Sequence, residues 1–465
     1  MMFRLPPTRS SSWLLVAGTR VGSICIAIAA LYMSGPSAMG QITTKDLIGD
    51  AVSDANTKYP DVDEAIKRFN NRDVPGARQF LEAANRKDSS LPPVDLTLAK
   101  MFLVSGNAGA GQASLEKTVM DNPADPEAYL ILADQSTQAG HTIESEALYE
   151  KALAMIDKFD GNAKRKRNFV IRARNGHSIV AERRKNWPTT VDDLQALLQV
   201  DPDNAMAHYR LGRALFMQGK SKEGYDQFVK ASELDKEMLN PYVASALVYE
   251  QLGKRPEAQK AFDRAVAANK SDVKVLTSYA NWLLQTGDEN KAESVLADAR
   301  KIEPENLEVL SLSGVAARMA KKMKPAEDYF MAALRLSPSN GGVTNQLALL
   351  LVDQPDDAKR QRAVEFAKIN AMLRPDSPEA NVTLAWVLYQ TGNNRDAGTA
   401  LQKALQTGSL GPDSGYLVAK MLFDQNQTDT AKQFLERALD PATSGGGLFV
   451  MRDDAEALKA KIGAK

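Results

Sequence analysis

The residues with which this chain could do chemistry are few, and their spacing argues against most of it. Three histidines, His141, His177 and His208, are scattered along the chain with no partner at metal-ligand spacing. The single cysteine, Cys25, lies in an apolar stretch near the N-terminus. Adjacent acids occur at Asp192-Asp193, Asp356-Asp357 and Asp453-Asp454; at predicted helix starts such pairs complement the helix macrodipole. Gly106-Asn-Ala-Gly-Ala-Gly111 echoes a phosphate-binding loop, but it lacks the Lys and the Ser/Thr that would reach phosphate and magnesium. It also follows a predicted helix, with Gly106 at a turn and Gly111 at a close-packing position. No G-x-S-x-G, H-E-x-x-H or kinase-like set is present. The expectation is a non-catalytic protein with no metal and no cofactor; an enzyme remains the contrasting class.

One charged run stands apart. Between Lys164 and Lys185 lie nine basic residues (Lys164, Arg165, Lys166, Arg167, Arg172, Arg174, Arg183, Arg184 and Lys185) against the single acid Glu182. Two readings stand: a long solvated helix face, or a docking patch for an acidic protein or an anionic envelope polymer. Over the whole chain 58 basic residues balance 58 acidic ones, which gives no bias toward nucleic acid or membrane surfaces.

The elements that must carry these residues follow from a period of 34. Small residues recur at Gly212, Ala246, Ala280, Gly314 and Ala348, and resume at Ala385 and Ala419 after three extra residues. A second column runs Gly224, Ala258, Ala292, Ala326, Ala363, Ala397, Ala431, and a third Ala231, Ala265, Ala299, Ala333, Ala404, Ala438. Between the last two sits a large apolar residue: Phe228, Phe262, Leu296, Phe330, Leu401, Leu435. Where two helices of a hairpin cross closely only Gly or Ala fits, since anything larger overpacks by about 1–3 kcal/mol. The large residue fills space toward the next hairpin. Glycines at 219, 253, 287 and 392 fall where a helix end needs positive φ, and Pro202, Pro304, Pro338 and Pro375 follow the second helices.

Period and small-large-small signature resemble the tetratricopeptide (TPR) family. The resemblance implies an all-α fold, a right-handed superhelical solenoid of tandem antiparallel helix pairs. Repeats 1–3 are expected over 58–159, a basic spacer and degenerate repeat over 160–204, and repeats 5–11 over 205–445. A cap helix over 41–57 and a capping helix over 446–465, with Ala457 and Leu458 inward, would close the ends. Lys321 and Asn426 replace turn glycines, and Asn370 replaces a packing alanine.

In the resembled family the concave face is lined by the first helix of each pair. The matching stripe here includes Tyr209, Arg213, Phe216, Leu247, Glu250, Thr277, Asn281, Trp386, Tyr389, Tyr416, Lys420 and Phe423. Its aromatic group, Trp386, Tyr389, Tyr416 and Phe423, could anchor an extended protein or peptide partner or could pack between repeats. The Lys/Asn clamp with which some members read a C-terminal carboxylate is not present: Tyr209/Arg213, Val243/Leu247 and Thr277/Asn281 occupy those positions.

The first 40 residues hold three arginines and no acid, then an apolar run from Val21 to Met33 and the small-x-small Ala38-Met39-Gly40. This is a signal-peptide pattern with cleavage expected before Gln41. Retention as a membrane anchor is the alternative, although a longer span would place Arg20 in hydrocarbon at about 2.5–3.5 kcal/mol. The expectation is a scaffold of the periplasm or cell envelope, or more narrowly an accessory subunit of envelope or exopolysaccharide assembly or secretion.

Overall fold

The computed structural model describes residues 42–48, 59–440 and 448–463, and all regular structure in them is α-helical. The signal-peptide segment lies outside the described residues. The chain divides into an N-terminal unit that ends at Gln259 and a C-terminal unit that begins at Lys260.

The N-terminal unit opens with α1 (Thr44–Ile48) and continues as hairpins α2/α3 (Pro60–Asn70, Val74–Lys87), α4/α5 (Val94–Val104, Ala108–Asp121) and α6/α7 (Pro126–Gln138, Thr142–Lys158). Hairpins α8/α9 (Ala163–Arg183, Trp187–Val200) and α10/α11 (Ala205–Met217, Ser221–Leu234) follow, then α12 (Pro241–Gln251). The division falls within α13 (Arg255–Ala268). The C-terminal unit holds α14/α15 (Val273–Thr286, Glu289–Ile302), α16/α17 (Leu307–Met319, Met323–Leu336) and α18/α19 (Gly341–Val352, Asp357–Leu373). It ends with α20/α21 (Pro378–Gln390, Asn394–Thr407), α22/α23 (Pro412–Asp424, Thr428–Leu439) and α24 (Arg452–Gly463). Within each unit the two helices of a hairpin pack most closely, and first helices of successive hairpins also touch: α6 with α8, α18 with α20, α20 with α22.

The columns read from the sequence form the interior. Every alanine of the three columns is 5% exposed or less, and Phe228, Phe262, Leu296 and Phe330 are fully buried. A Cβ on Gly212 would meet the backbone oxygen of Gly224 and the ring of Phe228, each at 2.8 Å, so the spacing admits nothing larger there. Asn370 takes its alanine place at 1% exposure because its amide is bonded: Nδ2 donates to Gly341 O (3.1 Å) and to Asn345 Oδ1 (2.7 Å).

The helix starts use a device that the repeat columns do not reveal. Asn or Asp side chains accept from the backbone two or three residues on, as Asn204 does from Ala207 N (2.9 Å), Asp288 from Lys291 N (3.0 Å) and Asn340 from Val343 N (2.9 Å). Each such cap contributes about 1 kcal/mol.

Turn geometry is kept even where glycine is missing. Gly219 has φ 81° and Lys321 has φ 58°, and both amides donate three residues back, to Phe216 O and Arg318 O, at 2.9 Å. Lysine there meets the steric cost of the left-handed region, about 1–2 kcal/mol. Lys321→Gly is therefore expected to stabilise the C-terminal unit by about 0.5–1 kcal/mol, the relief of strain less the entropy of glycine. The urea midpoint reads this; a lower midpoint would contradict it.

Two expectations need correction. The basic spacer expected at the start of 160–204 is not one, because residues from Ala163 onward form the first turns of the 21-residue α8, capped by Asn162. At the C-terminus Ala455 and Leu458 face inward and Ala457 is exposed. In α1, Leu47 and Ile48 are buried against Val62, Ala65 and Leu98.

Candidate functional site

In the N-terminal unit Arg165, Lys166, Arg172 and Arg174 of the basic run are buried or half-buried, while Lys164, Arg167, Arg183, Arg184 and Lys185 are exposed. Arg165 is 3% exposed, with Nη2 2.6 Å from Glu127 Oε2 and 2.9 Å from Asp125 Oδ2. Its guanidinium lies 4.8 Å from the Phe169 ring centroid. Lys100 pairs with the other oxygen of Glu127. Burial would raise the Glu127 carboxyl, but the adjacent charges of Lys100 and Arg165 overcome it and hold the group at about 2. Arg172 Nε donates to Asp134 (2.7 Å), which also accepts from the Tyr149 hydroxyl; burial and that carboxylate push the phenol up. Arg174 Nη1 and His177 Nδ1 approach the two oxygens of the buried Asp193 at 2.8 and 2.6 Å.

The remaining members are also engaged. Arg183 donates to Thr137 O (2.9 Å), Lys166 to Phe159 O (2.8 Å) and Arg167 to Val200 O (3.0 Å), and Arg184 pairs with Glu146. Lys164 and Lys185 are exposed, the latter at a positive-φ turn. The expected anionic-partner patch is thus corrected: most of these charges bind the preceding hairpin α6/α7 or α9, the second helix of their own hairpin. The sequence hid this because the acids sit on other helices, so only the unmatched basic half was visible in one window.

The first-helix stripe divides in the same way. Phe216 is 2% exposed, its ring 5.5 Å from Phe228 and 5.3 Å from Tyr249, so it is interior and not a partner contact. Thr277 is likewise buried at 2%. Tyr209 is half-buried against Phe228 (5.3 Å between centroids), and burial pushes its phenol up. Arg213 lies over Trp187 at 5.8 Å and 3.8 Å from Glu182. Beside it Arg210, off the expected stripe, donates to Glu182, Asn175 and Ser178 at 2.7–2.8 Å. Leu247 is 42% exposed and Glu250 half-buried.

In the C-terminal unit Asn281 is half-buried on α14. The expected aromatic group spans α20 and α22. Trp386 is buried at 7% exposure, a correction to its place as a surface contact, and its indole Nε1 has no hydrogen-bond partner. Its ring is 6.1 Å from that of Tyr389, one turn on and half-buried. Tyr416, Lys420 and Phe423 are half-buried on α22, and Lys420 pairs with Asp424.

Around them stand groups that the stripe did not include. Arg318 at the end of α16 is 8% exposed and donates to Gln346 Oε1 on α18. Asp413 accepts from the amides of Met451 (2.8 Å) and Val450 (3.4 Å), which tie the α24 segment to the start of α22. Burial pushes the Arg318 guanidinium down although Asp413, Asp353 and Asp454 act on it. Burial pushes the Asp413 carboxyl up, and the Tyr416 phenol up, the latter aided by Asp454, Asp353 and Asp424. First helices α16, α18, α20 and α22 and the cap α24 thus bring one guanidinium, several carboxylates and two tyrosines within electrostatic reach.

Among the described residues there is no metal-ligand cluster and no helix long and apolar enough to cross a membrane. Tandem helix hairpins closed by small-residue crossings define an α-solenoid repeat protein. Comparison with known families agrees. Residues 246–341 match the cytochrome c-type biogenesis protein H TPR domain, and residues 180–232 and 382–446 match the tetratricopeptide repeat. These segments carry tetratricopeptide-type repeats. It is similar to two Pseudomonas aeruginosa proteins: the type IV pilus assembly protein PilF (25% identity over 147 residues) and the TPR repeat-containing protein PA4667 (23% over 201). These alignments take in 31% and 43% of this chain, and span 58% and 34% of the relatives' lengths. Among solved structures, yeast Tom70 aligns over 86% of this chain and 95% of its own at 16% identity and TM-score 0.39. MamA aligns over 35% and 93% at 18% identity and TM-score 0.31.

Proposed function

We propose that the chain is a non-catalytic protein–protein interaction scaffold of the periplasm or cell envelope, holding an extended segment of a protein partner on the first-helix face of its C-terminal unit. The observation that carries this is the half-buried group Tyr389, Tyr416 and Phe423 beside Lys420 and Asp424. Rings that keep an accessible edge next to charged groups supply apolar area and polar anchoring together, which peptide recognition uses.

A narrower reading, an accessory subunit of envelope assembly, is favoured by the similarity of 246–341 to a cytochrome c-type biogenesis TPR domain and by the likeness to a pilus assembly protein. The envelope location rests on the arginine-bearing, apolar N-terminal pattern and its Ala38-Met39-Gly40 site. Sequencing of the exported protein should begin at Gln41, and an intact Met1 terminus would exclude cleavage.

The scaffold reading is tested by capture of tagged protein from its own envelope fraction, in parallel with Tyr389→Ala/Tyr416→Ala. Both positions are only half-buried, so the variant should fold, which its thermal midpoint checks. Partners retained by the wild type should be lost by the variant. Recovery of the same set by both would reject this face.

A further inference from the structure

On the first-helix face of the C-terminal unit one buried donor has no partner, and one buried guanidinium has no ion pair. Arg318 is more than nine-tenths buried, its one hydrogen bond is to the neutral Gln346, and no described carboxylate lies within ion-pair distance of it. Trp386 is equally buried and its Nε1–H is unpartnered. An unpaired buried donor costs about 1–3 kcal/mol, and an unpaired charge more. A face that carries both an unpartnered indole N–H and a guanidinium without a carboxylate leaves them for something that supplies acceptors.

The same face carries an excess of the opposite need. Asp353 and Asp454 are exposed, Asp413 is half-buried, and all three act on the one guanidinium without reaching ion-pair contact with it. Lys420 is already paired with Asp424. The local sum of Asp353, Asp413, Asp424 and Asp454 against Arg318 and Lys420 is 2 − 4 = −2.

From these observations we infer that the face takes an extended basic polypeptide segment, whose backbone carbonyls accept from Arg318 and Trp386 and whose Lys or Arg side chain sits among Asp353, Asp413 and Asp454, with Tyr389 and Tyr416 against its aliphatic stems. This deepens the proposed function and rests on it. An extended strand of chain presents carbonyls that no helix or sheet has satisfied, so it matches unpartnered donors as a folded surface would not. Lys and Arg stems also pack on tyrosine rings while their charges reach carboxylates.

Full-length protein titrated at physiological ionic strength with a labelled peptide alternating Lys and Ser tests the assignment. Peptides with Gln or Glu in place of Lys, and the variants Asp353→Asn/Asp454→Asn and Tyr389→Ala/Tyr416→Ala, complete the set. The exposed pair Asp298→Asn/Asp328→Asn, on second helices α15 and α17, controls for general charge. The Lys peptide should bind, about tenfold tighter than the Gln peptide, with no binding of the Glu peptide. Asp353→Asn/Asp454→Asn should erase that tenfold preference, and the control pair should leave it intact. Equal binding of Gln and Lys peptides that is lost in the tyrosine variant would overturn the basic-segment inference and keep the proposed face. Lys-peptide binding unchanged in both variant pairs, or no binding by any peptide, would overturn both.

Discussion

Arg165→Ala is expected to lower the unfolding free energy of the N-terminal unit by about 3–5 kcal/mol, the cost of removing one partner from a buried ion pair. The side chain is 3% exposed and bridges Glu127 and Asp125 on the preceding hairpin, with its guanidinium against Phe169. Truncation leaves Asp125 unpaired and Glu127 with Lys100 alone. The same network fixes a pH dependence. The Glu127 carboxyl is held at about 2, below its ordinary value, so its stabilisation is present above about 4.5 and is lost as pH falls toward 2. At 1.36 kcal/mol per unit this amounts to about 3 kcal/mol. Asp125, pushed up by burial, titrates in the opposite sense and softens the loss. Urea melts at neutral pH and near pH 3 should therefore differ more for the wild type than for Glu127→Gln. A cost for Arg165→Ala below about 1 kcal/mol would mean that the run is a solvated face after all.

Phe262→Ala should cost the C-terminal unit about 3–5 kcal/mol, the usual range for emptying a buried aromatic site. The ring is fully buried and stacks on Tyr279 of the next hairpin at 4.9 Å and 7°, with Trp282 at 5.2 Å. Phe262→Leu should lose less, because leucine fills this column at 296, 401 and 435. Because Trp282 faces the cavity, its fluorescence reports directly on the repacking. An alanine variant as stable as wild type would show that the column does not wedge hairpins together.

What was legible in the sequence was whatever repeats. A residue such as Ala280 or Phe330 meets the same neighbours in every hairpin, so its type recurs every 34 positions and its burial follows. Turn geometry is legible for the same reason, and it survives at Lys321, where the side chain changed and the backbone did not. The stripe opposite the packing columns was legible only in outline. Phe216 falls on it by spacing, yet Tyr249 of the next hairpin covers it. Trp386 is covered too, while Tyr389, one turn along, keeps an open edge.

Pairings between hairpins were not legible, because nothing local marks them. Arg165 meets Glu127 across 38 residues, Arg172 meets Asp134 across 38, and Arg318 feels Asp454 on the capping helix. The short Gly-rich stretch before α24 likewise gave no register, which put Ala457 where Ala455 belongs.

The central claim is that the first-helix face of the C-terminal unit, around Tyr389 and Tyr416, is where a partner is held. Placing a photo-crosslinking amino acid at Tyr416 tests it most directly, with the same group at Met372 as reference. Met372 is 72% exposed on the second helix α19, away from that face. After irradiation in the native envelope, position 416 should yield a discrete protein adduct that is absent at 372. Adducts of equal yield at both positions, or at 372 alone, would contradict the account.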